Sequence, residues 1–122
     1  MSTLKSTTTE AKIQEFVEKA KQQTRLLYEG DADSANVLEK ELGDIYRSLR
    51  AAGRAAQEAL LPLLEHADAS VRAEAAQFVL DFDPDKALPV LESIAAIPKG
   101  GIPGTNAADT LLVWRDGTYR IA

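Results

Sequence analysis

One stretch of the chain returns, altered, further along, and that internal copy restricts the fold more than any other feature. Ala59-Leu60-Leu61-Pro62-Leu63-Leu64-Glu65 comes back as Ala87-Leu88-Pro89-Val90-Leu91-Glu92, and Ala75-Ala76-Gln77-Phe78-Val79-Leu80-Asp81-Phe82 comes back as Ala107-Ala108-Asp109-Thr110-Leu111-Leu112-Val113-Trp114. A unit this short cannot bury its apolar face alone, so stacked helix pairs are expected. The second copy is the longer one between its helices, the surplus falling in the Pro/Gly-rich stretch around Lys99 to Gly104.

Residues 1–6 carry no periodicity and are expected as a disordered tail. Thr7-Thr8-Thr9-Glu10 has the form of a capping box, in which a Thr oxygen accepts the N3 amide and the Glu returns to the cap amide, so a first helix is predicted from there to Gly30. Its apolar side is Ile13, Phe16, Val17, Ala20, Thr24 and Leu27. A second helix, about 35–52, repeats Ala35, Leu38, Leu42, Ile45, Leu49 and Ala52 behind the N-cap candidates Asp31 to Ser34, and Gly53 ends it. A third, about 54–65, contains Pro62, whose ring removes one helical hydrogen bond and predicts a kink. Asp68 is the expected N-cap of a fourth helix, 69–82, the most buried, with Phe78 at the centre of its apolar face.

Asp83-Pro84 opens a fifth helix, to about Ala96, because a proline at N1 loses no bond. The stretch from Ile97 to Gly104 holds two prolines and three glycines and is expected as loop. Thr105 or Asn106 then caps a sixth helix that Gly117 ends. The predicted fold is all-α, about six helices in three antiparallel pairs within one helical-repeat domain over 1–122.

A chain of 122 residues, 45% hydrophobic and 27% charged, buries enough surface to fold alone. Cysteine is absent, which removes disulfides, thiol catalysis and thiolate metal ligands together. No apolar run approaches the roughly 20 residues of a membrane span, and the polar start, Met1 to Thr9, lacks the apolar segment of a signal peptide, so a cytoplasmic location is expected. The formal net charge of -5 is carried by residues 55–122, where Asp and Glu outnumber Lys and Arg. Such a surface repels a phosphate backbone, and no nucleic-acid partner is expected.

Pro62 in a first helix, Asp68 in the turn and Val71-Arg72 opening the next resemble the HEAT-repeat pattern, in which such an Asp and Arg tie successive turns together. The pattern covers Ala56 to Phe82 and half of the following unit. With Ala107-Ala108-Asp109-Thr110-Leu111 and Asp116-Gly117-Thr118-Tyr119 included, the chain is similar to short bacterial HEAT-like proteins of unknown function. The resemblance implies a HEAT/armadillo-like α-α superhelix and brings no catalytic residues with it. The long loop at Lys99 departs from a regular array.

His66 is the only histidine, so neither a His-based triad nor a multi-His metal site can be assembled within one chain. Placed after the third helix, it reads as a cation at the negative end of a helix dipole. Gly100-Gly101 and Gly104 precede a helix as a phosphate loop would, but without the lysine of a Walker sequence they read as a connector. Asp81, Asp83, Asp85 and Asp109 are the carboxylates a divalent-metal hydrolase would use, although helix caps and first-turn charges explain part of the set. Trp114 falls on the Phe82 position of the repeat and reads as core, with a partner contact as the sharper alternative, a choice shared by Tyr46 and Tyr119. No cofactor is expected.

The expected function is a non-enzymatic protein–protein interaction module. In HEAT-like stacks the second helices line the concave side, which would align Glu41, Asp44 and Ser48 with Glu74, Gln77 and Asp81 and with Asn106, Asp109 and Asp116. The row is mostly acidic, the form of a docking surface for a basic protein, for example in an immunity-type role. A divalent-metal-dependent hydrolase and a structural homo-oligomer, such as a homodimer, are the alternatives.

Overall fold

Helix α1 runs from Thr3 to Tyr28 in the computed structural model, which describes residues 3–122, with side chains from Thr8 onward. The stretch from Thr3 to Ser6, read as tail, is helical, and the Thr7–Glu10 box lies inside the helix. A capping box permits a helix to start but does not force it, and nothing from Thr3 to Ser6 is a glycine or proline that would stop the helix extending backward. Met1 and Ser2 lie outside the described residues.

The end of α1 follows its sequence signal. Gly30 adopts a left-handed φ of 82°, its amide reaches the Leu27 carbonyl at 3.1 Å, and the Asp31 amide reaches that of Leu26 at 2.9 Å, the two bonds of a Schellman motif. Asp31 at once caps α2 (Ala32–Ala52), its carboxylate accepting the Ser34 amide at 3.1 Å. With stop and start on adjacent residues the chain reverses, and α2 returns along α1. Lys12 meets Ser48, Lys19 meets Glu41 and Gln23 meets Glu39, numbers rising on one helix and falling on the other, as an antiparallel pair requires.

The helices gather into two compact units, Met1–Leu60 and Leu61–Ala122. In the first, α1, α2 and the short α3 (Arg54–Glu58) contribute Phe16, Ala20, Leu42, Tyr46, Leu49 and Ala56 to the buried set. The expected stripe of α2 is buried except for Ala52, which is exposed. Tyr46 belongs to the core, its hydroxyl accepting from the Gln57 amide at 3.0 Å.

The third helix is broken rather than kinked: α3 stops at Glu58, and a separate 3-10 helix spans Leu61–Glu65. Pro62 has no amide to offer the Glu58 carbonyl. The amides of Ala59 and Leu60 have already turned to Ala56 and Gln57, three residues back, at 3.2 and 3.0 Å. The tighter winding therefore begins before the proline.

In the second unit, α4 (Ala69–Val79) touches the 3-10 helix, α5 (Pro84–Ala95) and α6 (Gly101–Arg115), so it is shared among three neighbours instead of pairing with one. Val71, Ala75, Ala76, Phe78 and Val79 are buried along it. Asp68 caps it as expected, accepting the Ser70 amide at 2.8 Å. Arg72 Nη1 secures the preceding turn, donating to the carbonyls of His66 at 2.8 Å and Ala67 at 3.0 Å. The same turn is closed by His66, whose Nδ1 accepts the Asp68 amide at 3.0 Å.

Helix α5 runs through Pro89 without a break, and α6 begins at Gly101, inside the stretch expected as loop. The first amides of a helix have no partner within it, so Pro103 as the third residue loses nothing, and the glycines of the same turn bear only their entropic cost. Neither Thr105 nor Asn106 is a cap. The Thr105 hydroxyl bonds back to the Gly101 carbonyl at 3.2 Å, from within the helix. A second Schellman motif closes α6: Gly117, at φ 81°, donates to Trp114 at 3.3 Å and Thr118 to Val113 at 3.0 Å. Among the described residues there is no strand, and no helix is long and apolar enough to cross a membrane.

Candidate functional site

The acidic row divides once its side chains are placed. Glu41 accepts from Lys19 Nζ at 3.0 Å, and the same ammonium lies 3.5 Å from Glu15. The hydrogen bond to Glu41, opposed by partial burial, holds the Lys19 pKa above its ordinary 10.5. Asp44 accepts from Arg47 and, at 3.3 Å, from Lys40, and these bonds hold its carboxyl below the ordinary 3.8. Ser48 accepts from Lys12 at 2.6 Å. Glu74, expected to point outward, is 2% exposed, because α4 is packed by three elements and has little outward side left. Gln77 is half-buried, whereas Asp81 and Asp109 remain exposed. Asn106 is half-buried, and Asp116 spends its carboxylate on the Thr118 amide at 3.0 Å.

The carboxylates of the hydrolase alternative are also dispersed in role. Asp83 occupies the N-cap position of α5, 4.0 Å from Lys86, and Asp85 stands in its first turn. Asp85 edges a groove of about 520 Å³ between the 3-10 helix and α5, whose walls are Leu61, Pro62, Leu64, Pro89 and Val90. Among the described residues no group of three His, Asp or Glu side chains is arranged to hold a metal ion.

A different surface stands out on α6. Leu111 to Trp114 are four apolar residues in succession. At about 3.6 residues per turn such a run sweeps nearly the whole circumference, more than a helix packed on one side can bury. Leu111 is 4% exposed, but Leu112 is 62% and Val113 39% exposed. Beside Leu112 lies a second groove of about 520 Å³, floored by Ala95, Ala96 and Ala108 and flanked by Glu92 and Arg115. These two charges are 3.7 Å apart and each is more than half exposed. The apolar run is visible in the sequence, where the repeat gives a core reading to Trp114 alone.

A protein-family model described as Domain of unknown function (DUF2019) matches residues 10–113. The chain belongs to the DUF2019 family. Among solved structures, this DUF2019 chain is similar to the crystal structure of the protein RPA1889 from Rhodopseudomonas palustris CGA009, at 27% identity and a TM-score of 0.79, with 92% of each chain covered. No curated protein matches it.

The DUF2019 match ends at Val113, on the exposed side of α6. Beyond α6 the chain turns back. Trp114 is half-buried rather than core, and it meets the Tyr119 ring edge-on with centroids 5.5 Å apart. The Tyr119 hydroxyl reaches the main chain of α4 at Gln77. Tyr119 is thereby an anchor within the second unit, and the large apolar side chains left facing water on α6 are Leu112 and Val113.

Proposed function

We propose that this chain is a non-enzymatic protein-interaction module, a HEAT-like α-α superhelix that offers the outer side of α5 and α6 to a protein. The observation that carries the reading is the 62% exposure of Leu112 next to an alanine-floored groove. Exposed apolar side chains clustered beside a groove and rimmed by charge are the form of a protein-binding surface. Arg72 and Asp68, bonded around the turn before α4, agree with the HEAT-like part of the reading. A preference for a basic partner would rest on the exposed Asp109, since Glu74 is buried and Glu41 and Asp44 are engaged within the chain.

The test is site-specific photo-crosslinking in native cells, with the photoreactive residue at position 112 in one variant and at the exposed Asp33 in another. A discrete protein adduct from position 112 and none from position 33 is the expected result. The same adduct pattern from both positions, or no protein adduct from 112, overturns the reading.

A further inference from the structure

We infer that the groove between the 3-10 helix and α5 binds a short segment of a partner protein that carries an arginine or lysine next to an apolar residue, independently of what binds the α5–α6 face. The internal repeat builds this groove. Pro62 stands on one wall and its repeat counterpart Pro89 on the other, and both rings are exposed. Leu61, Leu64 and Val90 complete the hydrocarbon. A proline ring has no rotamer freedom to lose, so an occupant meets walls that are already shaped. The volume of about 520 Å³ lies within the roughly 300 to 1,000 Å³ of binding clefts and exceeds what one side chain fills.

Charge decides the occupant. Glu65 and Asp85 border the hydrocarbon, both are exposed, and among the described residues neither carboxylate is held by a hydrogen bond or an ion pair. Lys86, on the same rim, lies 4.0 Å from Asp83, whose carboxylate offsets its ammonium. The surplus is negative. An anionic occupant is repelled, and an uncharged apolar one would take water from two carboxylates without replacing it. An alkyl stem ending in a cation satisfies both parts of the groove, the stem lying on the prolines and Val90 and the head donating to Glu65 or Asp85. Arginine and lysine have that form. The head needs only the rim, so the remaining volume takes a neighbouring apolar side chain, which a peptide segment supplies and a free polyamine lacks.

The experiment is an amide-resolved NMR titration of the full chain with the capped peptide Leu-Leu-Arg-Leu, run beside Leu-Leu-Glu-Leu and spermidine, with amide dispersion confirming that each variant remains folded. The arginine peptide should move the amides of Leu61, Leu64, Asp85 and Val90 with a Kd of about 1 mM or tighter, and the glutamate peptide should leave them in place. Glu65→Gln combined with Asp85→Asn keeps the shape of the groove and removes its charge, and should raise that Kd about tenfold or more. Asp109→Asn, an exposed carboxylate on α6 that does not line the groove, should leave it unchanged. Amides unmoved by the arginine peptide at about 10 mM, equal shifts from the glutamate peptide, or the same Kd in the double variant overturns the inference. Spermidine moving the same amides as strongly would make this a site for free amines and overturns the assignment to a protein segment. Each of these outcomes leaves the crosslinking result at position 112 untouched.

Discussion

The Tyr119 hydroxyl donates to the main-chain carbonyl of Gln77, 42 positions earlier in the chain. That carbonyl lies in the last turn of α4, where the Asp81 amide bonds to Phe78 at 3.1 Å instead of continuing the α pattern. The phenol thus serves a helix end, as a cap residue would, but from the far end of the sequence. Tyr119→Phe removes the bond while keeping the ring against Trp114, and should lower stability by about 1 kcal/mol in urea denaturation. Tyr119→Ala should cost more and shift the emission of Trp114, the sole tryptophan, toward that of an exposed indole. Equal stability of both variants with the wild type would mean that the tail does not hold to α4.

Phe78 is 2% exposed on a helix with neighbours on three elements, so its surroundings cannot easily collapse around a smaller residue. Phe78→Ala should lose about 3 to 5 kcal/mol, read from the denaturation midpoint at unchanged slope. Wild-type stability in this variant would contradict the face assigned to α4.

Gly43 lies buried in the middle of α2, where glycine is weaker than alanine by about 0.5 to 1 kcal/mol. A methyl group there would meet Arg47 Nη1 at 3.3 Å, the far end of a flexible side chain that is 39% exposed and able to move aside. Gly43→Ala should therefore raise the melting temperature. A fall would show that the guanidinium is fixed over the glycine and that its contact with Asp44 matters to the hairpin.

Stability should respond to pH at both extremes, with opposite signs. The Lys19 ammonium is favoured by folding, so its contribution is complete below 10.5 and is lost as pH rises through the higher folded value. The carboxyl of Asp31 is held below 3.8 by the Ser34 backbone and hydroxyl, so its contribution is present above 3.8 and is lost as pH falls through the lower folded value. Asp31→Asn keeps a competent N-cap that does not titrate. Melting temperatures of the two proteins should therefore converge below pH 3.8 relative to their difference at neutral pH. A constant gap across the acid range would remove Asp31 as a source of the pH dependence.

Chemistry confined to neighbouring residues is legible in the sequence. Asp31, Asp68, Gly30 and Gly117 do in the structure what short-range rules assign to them, because a cap or a left-handed turn is decided within a few residues. Pro103 and Gly104 misled, since the same residue that breaks a helix in its interior is tolerated in the first turn, and sequence alone does not say which turn it will be. Glu74 misled for a different reason. A charged side chain on a helical stripe reads as solvent-facing, and only the presence of three packed neighbours around α4 takes it below 3% exposure, at 2%. Leu112 carried its own signal in the run from Leu111 to Trp114, which asks for more burial than one packed side can give.

The polar contacts across α1 and α2 also fix how far one helix can slide along the other. An aliphatic seam such as Leu38, Leu42, Ile45 and Leu49 is nearly the same after a displacement of one turn, and on its own would accept several alignments. Lys12 with Ser48, Lys19 with Glu41 and Gln23 with Glu39 can be made together in a single alignment, and a slip of one turn breaks all three at once. Gln23 is 5% exposed, so a slipped hairpin takes the Glu39 acceptor away from a buried Nε2 donor. The ladder of side chains thereby acts as a ratchet pawl, selecting one alignment from a seam that would otherwise permit many.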